Sequence, residues 1–471
     1  MKRNQSILYI LLLAALVISS CKVGKNYQRP SVALPKQFNN TSFADTSSIA
    51  DIAWKSFFTD TTLQNLIDKG IKYNYDLQIA LKRIDIANEQ VKQAKVLLLP
   101  QLDLQVNAQY NYLSKNSLNG LSISSFAGGR HVEDYNAALN LSWEIDVWGK
   151  IRRQKEEVLA QYLQTYEATR AVQTQLVADI AQGYFNLLML DKQLAIAQQN
   201  LRLSDTTLRL TTLLKKAGET TQLGVQQAEA QRQATALLIP QLEQSIALQE
   251  NALQLLTGQL PGPVIRNATL DHFSVPANLP AGLPAAIVSR RPDVRSNEMA
   301  LVAANAQVGV AQGNMYPSLA ITASGGIESY KASSWFSIPA SLFGIVNGTV
   351  LQPIFRHREL KTQFEIAKVQ REQAVMQFRS SVLNAVGEVS NALVQNEKLK
   401  QQQQIAASEV NTLQLAIKNA QLLFKSDMAN YLEVVTAQTN VLQAELNLAS
   451  IQRQQQGAVV ELYRSLGGGW K

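Results

Sequence analysis

The sequence predicts a mainly α-helical, internally duplicated chain that also carries membrane-type β-strands. Three observations lead there. Two tracts, Ile151 to Ile239 and Ile354 to Lys471, contain no proline and have helical periodicity. Two other segments alternate apolar and polar residues with period two. Landmarks of the first half recur in the second at a spacing of about 210 residues.

The chain opens with Lys2 and Arg3, then an apolar run from Ile7 to Ile18 that is short for a transmembrane helix. Ile18-Ser19-Ser20-Cys21 follows, with the sole cysteine of 471 residues. This resembles the bacterial lipobox. The resemblance implies cleavage before Cys21, a diacylglyceryl group on its thiol and an acyl chain on its new amine. The alternative is an ordinary cleaved signal with an incidental cysteine. Residue 22 is lysine and not the aspartate that resembles an inner-membrane retention signal, which favours the outer membrane.

The first alternating segment sets Leu102, Leu104, Val106, Ala108, Tyr110 and Tyr112 against Gln101, Asp103, Gln105, Asn107, Gln109 and Asn111. The second sets Leu139, Leu141, Trp143, Ile145 and Val147 against Asn140, Ser142, Glu144 and Asp146. Strands at about 101–114 and 135–148 have the length that crosses a membrane, with Lys115 to Asp134 as a polar loop between them. A polar face carrying Asp103, Glu144 and Asp146 suits a water-filled lumen. A second, weaker pair is expected at about 318–327 and 345–355.

Long helices follow each pair. Ile180, Leu187, Leu194, Leu201 and Leu208 recur every seventh residue, and Val375, Phe378, Val382, Ala385, Val389 and Ala392 step by three and four. Both are heptad seams. A helix from Ile151 to about Lys215 would be ~97 Å long, which points to a rod or tube. Prolines 261, 263, 276, 280, 284 and 292 crowd the stretch between the halves, which reads as a connection.

The halves align. Val91-x-x-Ala94 with Pro100-x-Leu102 matches Val308-x-x-Ala311 with Pro317-x-Leu319, and Leu213-Leu214-x-Lys216 with Leu223-x-Val225 matches Leu422-Leu423-x-Lys425 with Leu432-x-Val434. Each half reads helix, strand pair, long helix, turn, long helix. Four strands cannot close a barrel, and open edges are not tolerated in lipid. At least about eight strands are needed, and a conducting tube favours three or more chains.

The bulk numbers exclude other classes. Charged residues make up 17%, below the ~25% of ordinary soluble domains. The net charge of +8 is scattered, which reads as a solvated surface and not a nucleic-acid site. His131, His272 and His357 lack metal-ligand spacing, and no Gly-rich phosphate loop follows a strand. No enzyme, metal or cofactor is expected.

Further motifs carry a resemblance over nearly the whole chain from Cys21. They are Gly24-x-x-Tyr27-x-x-Pro30, Trp54-x-x-Phe57-Phe58-x-Asp60, Glu144-Ile145-Asp146-Val147-Trp148-Gly149-Lys150-Ile151-Arg152-Arg153, Leu255-Leu256-x-Gly258, Arg290-Arg291-Pro292-Asp293-Val294, Tyr316-Pro317-Ser318 and Leu466-Gly467-Gly468-Gly469-Trp470. In this order they resemble the TolC-like outer-membrane efflux protein family, in its lipoprotein branch serving resistance–nodulation–division pumps. Trp148 stands where the family more often has phenylalanine.

The resemblance implies a homotrimer in the outer membrane, lipid-anchored and reaching into the periplasm. A 12-stranded β-barrel would stand on a 12-helix periplasmic α-barrel, docked by a membrane-fusion adaptor and fed by an inner-membrane pump. It divides the chain into a signal peptide with lipobox (1–20), a lipidated extended segment (21–50), a first repeat (51–258), a Pro-rich linker (259–284), a second repeat (285–466) and a tail (467–471). The helix–turn–helix tips would meet the adaptor through Lys216, Gly218, Glu219, Ser426 and Asp427. Gly218 supplies a permissive turn, and Ser426 or Asp427 can cap the next helix. Glu433 would face the pore, although Thr436 stands where the family often has a second acidic residue. The function implied is the exit duct of a tripartite efflux pump for small molecules. A type I protein-secretion duct and a structural coiled-coil lipoprotein are the alternatives.

Overall fold

The computed structural model describes residues 22–35, 38, 48–127, 129, 131–273, 280–426 and 428–471. Cys21, the leader before it and Asp427 lie outside the described residues. The main helices are α1 (Thr61–Tyr73), α2 (Tyr75–Val96), α3 (Leu118–Ala127), α4 (Lys150–Ala217), α5 (Gln222–Leu256), α6 (Pro292–Gly313), α7 (Glu359–Lys425) and α8 (Tyr431–Ser465). The strands are β1 (Gln101–Tyr112), β2 (His131–Ile145), β3 (Ser318–Ser329) and β4 (Leu342–Leu351).

The duplication is visible element by element. Helices α2 and α6 each have 22 residues, and β1 and β3 each have 12. Helices α4 and α7 have 68 and 67, and α5 and α8 have 35 each. Two compact units partition the chain. One holds the described residues up to Pro30, Ile86–Leu163 and Met299–Met376, and therefore the sheet. The other holds Ser31–Asp85, Gln164–Glu298 and Gln377–Lys471.

The sheet is antiparallel in the order β1-β2-β3-β4. Its ends depart from the expected ones. Strand β2 begins at His131 and stops at Ile145, because Asp146 turns its carboxylate to the N–H groups of Ile151 and Arg152 at the start of α4 (3.0 and 3.1 Å). Strand β4 begins at Leu342 and ends at Leu351, two residues before Pro353, which has no N–H to continue a ladder. The expected loop from Lys115 to Asp134 contains α3, opened by the Ser117 hydroxyl accepting from Gly120 N–H.

In the helical unit, the α7 seam follows the expected steps: Phe378, Val382, Ala385, Val389 and Ala392 are all buried. The α4 leucine heptad holds only in its upper part. Ile180 and Leu187 are fully buried, whereas Leu194, Leu201 and Leu208 are only half-buried. Below them the buried positions are Ala197, Asn200, Ser204, Thr207 and Thr211. A helix of 3.6 residues per turn drifts about 20° per heptad against a strict seven-residue repeat, so the leucines rotate off the seam. Their places go to hydroxyls that bond back to the helix, as Thr211 does to Thr207 O (2.9 Å). Helix α5 runs through Pro240, which ended the proline-free tract in the sequence.

The connection between the halves is packed down. Arg266 makes a bidentate pair with Asp191 (2.5 and 2.7 Å) and reaches Glu250 (2.5 Å). The C-terminal glycines are packed as well. A Cβ on Gly468 would stand 2.5 Å from the Tyr463 ring, and Trp470 lies against the Arg170 guanidinium at 4.1 Å.

Candidate functional site

Register assigns every sheet position to a face. On one face stand Leu102, Leu104, Val106, Leu139, Leu141, Trp143, Ile145, Leu319, Ile321, Ile327, Leu342, Val346 and Val350, with Glu133 and His131 only at its loop end, opposite Tyr110 and Tyr112. On the other stand Asp103, Gln105, Asn107, Asn140, Ser142, Glu144, Thr322, Ser324 and Asn347. The polar face is cross-linked: Asn140 donates to Gln105 (3.2 Å) and Ser324 donates to Asn140 (2.7 Å). The apolar leucines of β1 are exposed. A 12-residue strand rises ~40 Å and, tilted by about 45°, spans the ~30 Å hydrocarbon layer. Aromatic rings mark both ends: Tyr110, Tyr112, Tyr135, Trp335 and Phe336 at one, Trp143, Trp148, Tyr316 and Phe355 at the other. No helix among the described residues is long and apolar enough to cross a membrane.

Of the three carboxylates expected on the polar face, Asp103 and Glu144 are there, Glu144 paired with Lys150 (2.5 Å). Asp146 is not. It lies past the strand, its side chain 6% exposed, pairing with Arg152 (3.1 Å) and capping α4. Beside it, Trp148 stacks on Tyr316 (5.2 Å between centroids) and donates its indole N–H to Pro317 O (2.6 Å), a bond phenylalanine could not make.

The N-terminal segment is strapped against the same end of the sheet unit. Val23 N–H donates to Trp148 O (3.0 Å) and Gly24 N–H to Gln312 Oε1 (2.9 Å). Arg153 donates to Val23 O (3.1 Å) and Asn26 Oδ1 (3.0 Å). Gly24 has φ +71°, and a Cβ there would stand 2.8 Å from the Gly309 Cα. Two glycines therefore let two backbones touch.

The two tips lie in the helical unit. Helix α4 ends in a Schellman motif: Gly218, at φ +85°, donates to Lys215 O (3.1 Å) and Glu219 N–H to Leu214 O (2.9 Å). Lys216, Gly218 and Glu219 are exposed. At the second tip Ser426 is exposed, but it does not cap α8. Asn430 does, accepting from Leu432 and Glu433 N–H (2.9 and 3.2 Å), while Glu433 Oε2 accepts from Asn430 N–H (3.0 Å). Glu433 therefore closes a capping box, a local reason for glutamate at this exposed position. The tips also touch. The Tyr431 ring stands against Gly224, and its hydroxyl donates to Gln227 Oε1 (2.5 Å). Sequence reasoning missed this pair, though the repeat hints at it by setting Gln222 opposite Tyr431 at the starts of α5 and α8.

A second missed constellation explains the Arg291-Pro292-Asp293 motif. Arg291, its side chain 5% exposed, grips Asp293 with two bonds (3.0 and 2.6 Å), then Glu388 (2.8 Å) and Ser465 O (3.0 Å). Arg464 shares Glu388 (3.0 Å) and pairs with Glu461 (2.5 Å). Burial pushes the Asp293 carboxyl up, but Arg291 outweighs it and holds it below the usual carboxylate range. No group of histidine, cysteine and acidic residues among the described residues is arranged to hold a metal ion.

A family model described as outer membrane efflux protein matches residues 66–259 and 283–468. The chain is 29% identical over 461 residues to the cation efflux system protein CusC of Escherichia coli, covering 97% of each. It is 28% identical over 458 residues to the probable outer membrane lipoprotein SilC of Salmonella typhimurium, covering 96% of this chain and 97% of that one. Among solved structures it is similar to the open state of the MtrE outer membrane channel of Neisseria gonorrhoeae, with a TM-score of 0.86 and 26% identity over 96% of this chain and 99% of that one.

Proposed function

Because the chain belongs to the outer membrane efflux protein family, we propose that three copies close their four-stranded sheets into one barrel and form the lipid-anchored exit duct of a tripartite pump. The protein is an outer-membrane efflux channel and not an enzyme. The observation that carries the trimer is the sheet itself: one face mainly apolar, one mainly polar, and β1 and β4 left as unpaired edges among the described residues. Unpaired backbone is not tolerated in hydrocarbon, so neighbouring copies must pair with both edges. Three copies give twelve strands, wide enough to enclose water.

Cys21 carries the lipid in this reading. Val23, two residues further along the chain, is bonded to Trp148 just past the end of β2. Acyl chains would enter the membrane beside the barrel, and SilC, named a probable outer membrane lipoprotein, is a relative of this chain. The exposed tips at Lys216, Gly218, Glu219 and Ser426, with Asp427, are the surfaces for a periplasmic adaptor, and an inner-membrane resistance–nodulation–division pump delivers cargo through it. CusC is named for cations, and this chain's cargo is placed among small solutes, including cations. Glu433 of each copy lines the narrow end, where three carboxylates favour cations.

Conductance in planar bilayers, with mass from light scattering, tests this. A trimer with small, cation-preferring conductance is expected. Glu433→Gln keeps the capping box, since glutamine serves at that position, and should bring the cation-to-anion permeability ratio toward one. A selectivity unmoved by the substitution would remove Glu433 from the pore, and a non-conducting monomer would sink the duct.

A further inference from the structure

The duplication exposes a difference between the two strand-to-helix junctions at the lower end of the sheet. In the first repeat the three basic residues nearest the strand are paired: Lys150 with Glu144, Arg152 with Asp146 and Arg153 with Glu156 (2.6 Å). The N-terminal strap lies across this junction. In the second repeat, Arg356, Arg358 and Lys361 form no salt bridge among the described residues. One carboxylate, Glu359, lines the same cleft and accepts from Gln363 (3.4 Å), so the three cations outnumber it, and Glu365 further along is taken by Lys368 (2.9 Å). Two large apolar side chains stand uncovered beside them, Ile354 at 96% and Phe355 at 77% exposure. With Met315 and Leu360 these residues line an open cleft.

We propose that this second junction is a binding site for one anionic phospholipid of the leaflet that faces the periplasm. The inference rests on the sheet spanning the membrane. Ile354 lies three residues past Leu351, the last residue of β4, and so stays at this end of the sheet. Phe355 next to it lines a cleft with Met315, the neighbour of Tyr316, at the end of the sheet where a headgroup layer begins. Acyl chains fit the Ile354–Phe355 surface, and a headgroup phosphate fits the unpaired guanidinium groups of Arg356 and Arg358 with the Lys361 ammonium. A zwitterionic lipid would bring its own ammonium into this cluster and bind less well. The first junction has no such site because Lys150, Arg152 and Arg153 are paired within the chain.

The test uses the purified full-length trimer titrated with dioleoylphosphatidylglycerol or dioleoylphosphatidylethanolamine and read by native mass spectrometry, with bilayer conductance measured on the same preparations. Each basic charge beside an anionic headgroup shifts the partition by about fivefold. Arg356→Gln/Arg358→Gln should therefore weaken phosphatidylglycerol about 25-fold and leave phosphatidylethanolamine unchanged. Arg152→Gln, whose charge is already paired, should change neither. Conducting trimers whose phosphatidylglycerol affinity ignores the double substitution overturn the site alone. So does displacement of the lipid by millimolar inorganic phosphate, which would make it a phosphate site. Trimers that fall apart in the double variant while each chain keeps its lipid also overturn it, and assign these charges to a neighbouring copy. A wild-type protein that forms no conducting trimer overturns the channel reading and this site with it.

Discussion

Arg291→Ala is expected to destabilise the protein by about 3–5 kcal/mol, the usual cost of removing one partner from a buried ion pair. The cost comes from what is left behind. Asp293 loses two charge-assisted bonds, Glu388 keeps only Arg464, and the carbonyl of Ser465 loses its side-chain donor. These groups tie the start of α6 to α7 and to the C-terminal end of α8. Arg291→Lys keeps the charge but not the planar fork, so it should recover only part of the loss. The measurement is the denaturation midpoint of the helical circular dichroism signal in detergent.

The same network sets an acid limit. Asp293 is held below its ordinary range, so its contribution is fully present above the unfolded carboxylate pKa and is lost as pH falls through the folded one. Wild-type stability should therefore drop below about pH 4, and the Arg291→Ala variant should show a shallower drop. Equal stability of the two proteins at neutral pH would show that the cluster is not what fastens these elements.

Alternation and proline spacing made the sheet and the long helices legible, because both report a repeating environment. Asp103 and Glu144 fell on the polar face for that reason. Asp146 did not, because a carboxylate at a strand end can serve either the strand or the next helix, and the α4 N–H groups claim it. The lower α4 seam was misread for a related reason. Leucines attract the eye as core, yet the positions facing the packed side are Asn200, Ser204, Thr207 and Thr211. Only a three-dimensional frame shows which residues a drifting helix turns inward.

Glu433 illustrates a deeper limit. The sequence offers a carboxylate near a turn, and the structure gives it a capping bond to Asn430 that would exist with or without a pore. A cap is local and a pore is made between copies, so one chain displays only the first. The Arg291 cluster was invisible for the opposite reason: its members, Asp293, Glu388, Arg464 and Ser465, are scattered over more than a hundred residues. The motif around Arg291 could be recognised as a pattern, but what it grips could not.

Gly309→Val is expected to release the N-terminal strap while leaving the helices folded. Gly309 is helical, so a larger residue should by intrinsic propensity be at least as good there, valine being better than glycine by several tenths of a kcal/mol. A loss can therefore come only from the contact. A Cβ at Gly309 would stand 2.9 Å from the Arg153 Cγ, and Gly24 already sits against the Gly309 backbone. Pushing Arg153 away breaks its bonds to Val23 O and Asn26, and displacing Gly24 breaks its bond to Gln312 and strains that of the adjacent Val23 N–H to Trp148 O. Each neutral bond contributes about 1 kcal/mol net, so losing several turns a docked segment into a mostly free one. Trypsin reads this directly, since Lys22 and Lys25 lie in the strap. Cleavage there should accelerate by about tenfold or more, the factor that 1.4 kcal/mol of lost docking produces, with the circular dichroism of the helices unchanged. Gly309→Ala should give a smaller acceleration. If valine leaves the cleavage rate where it was, the strap does not depend on the glycine contact.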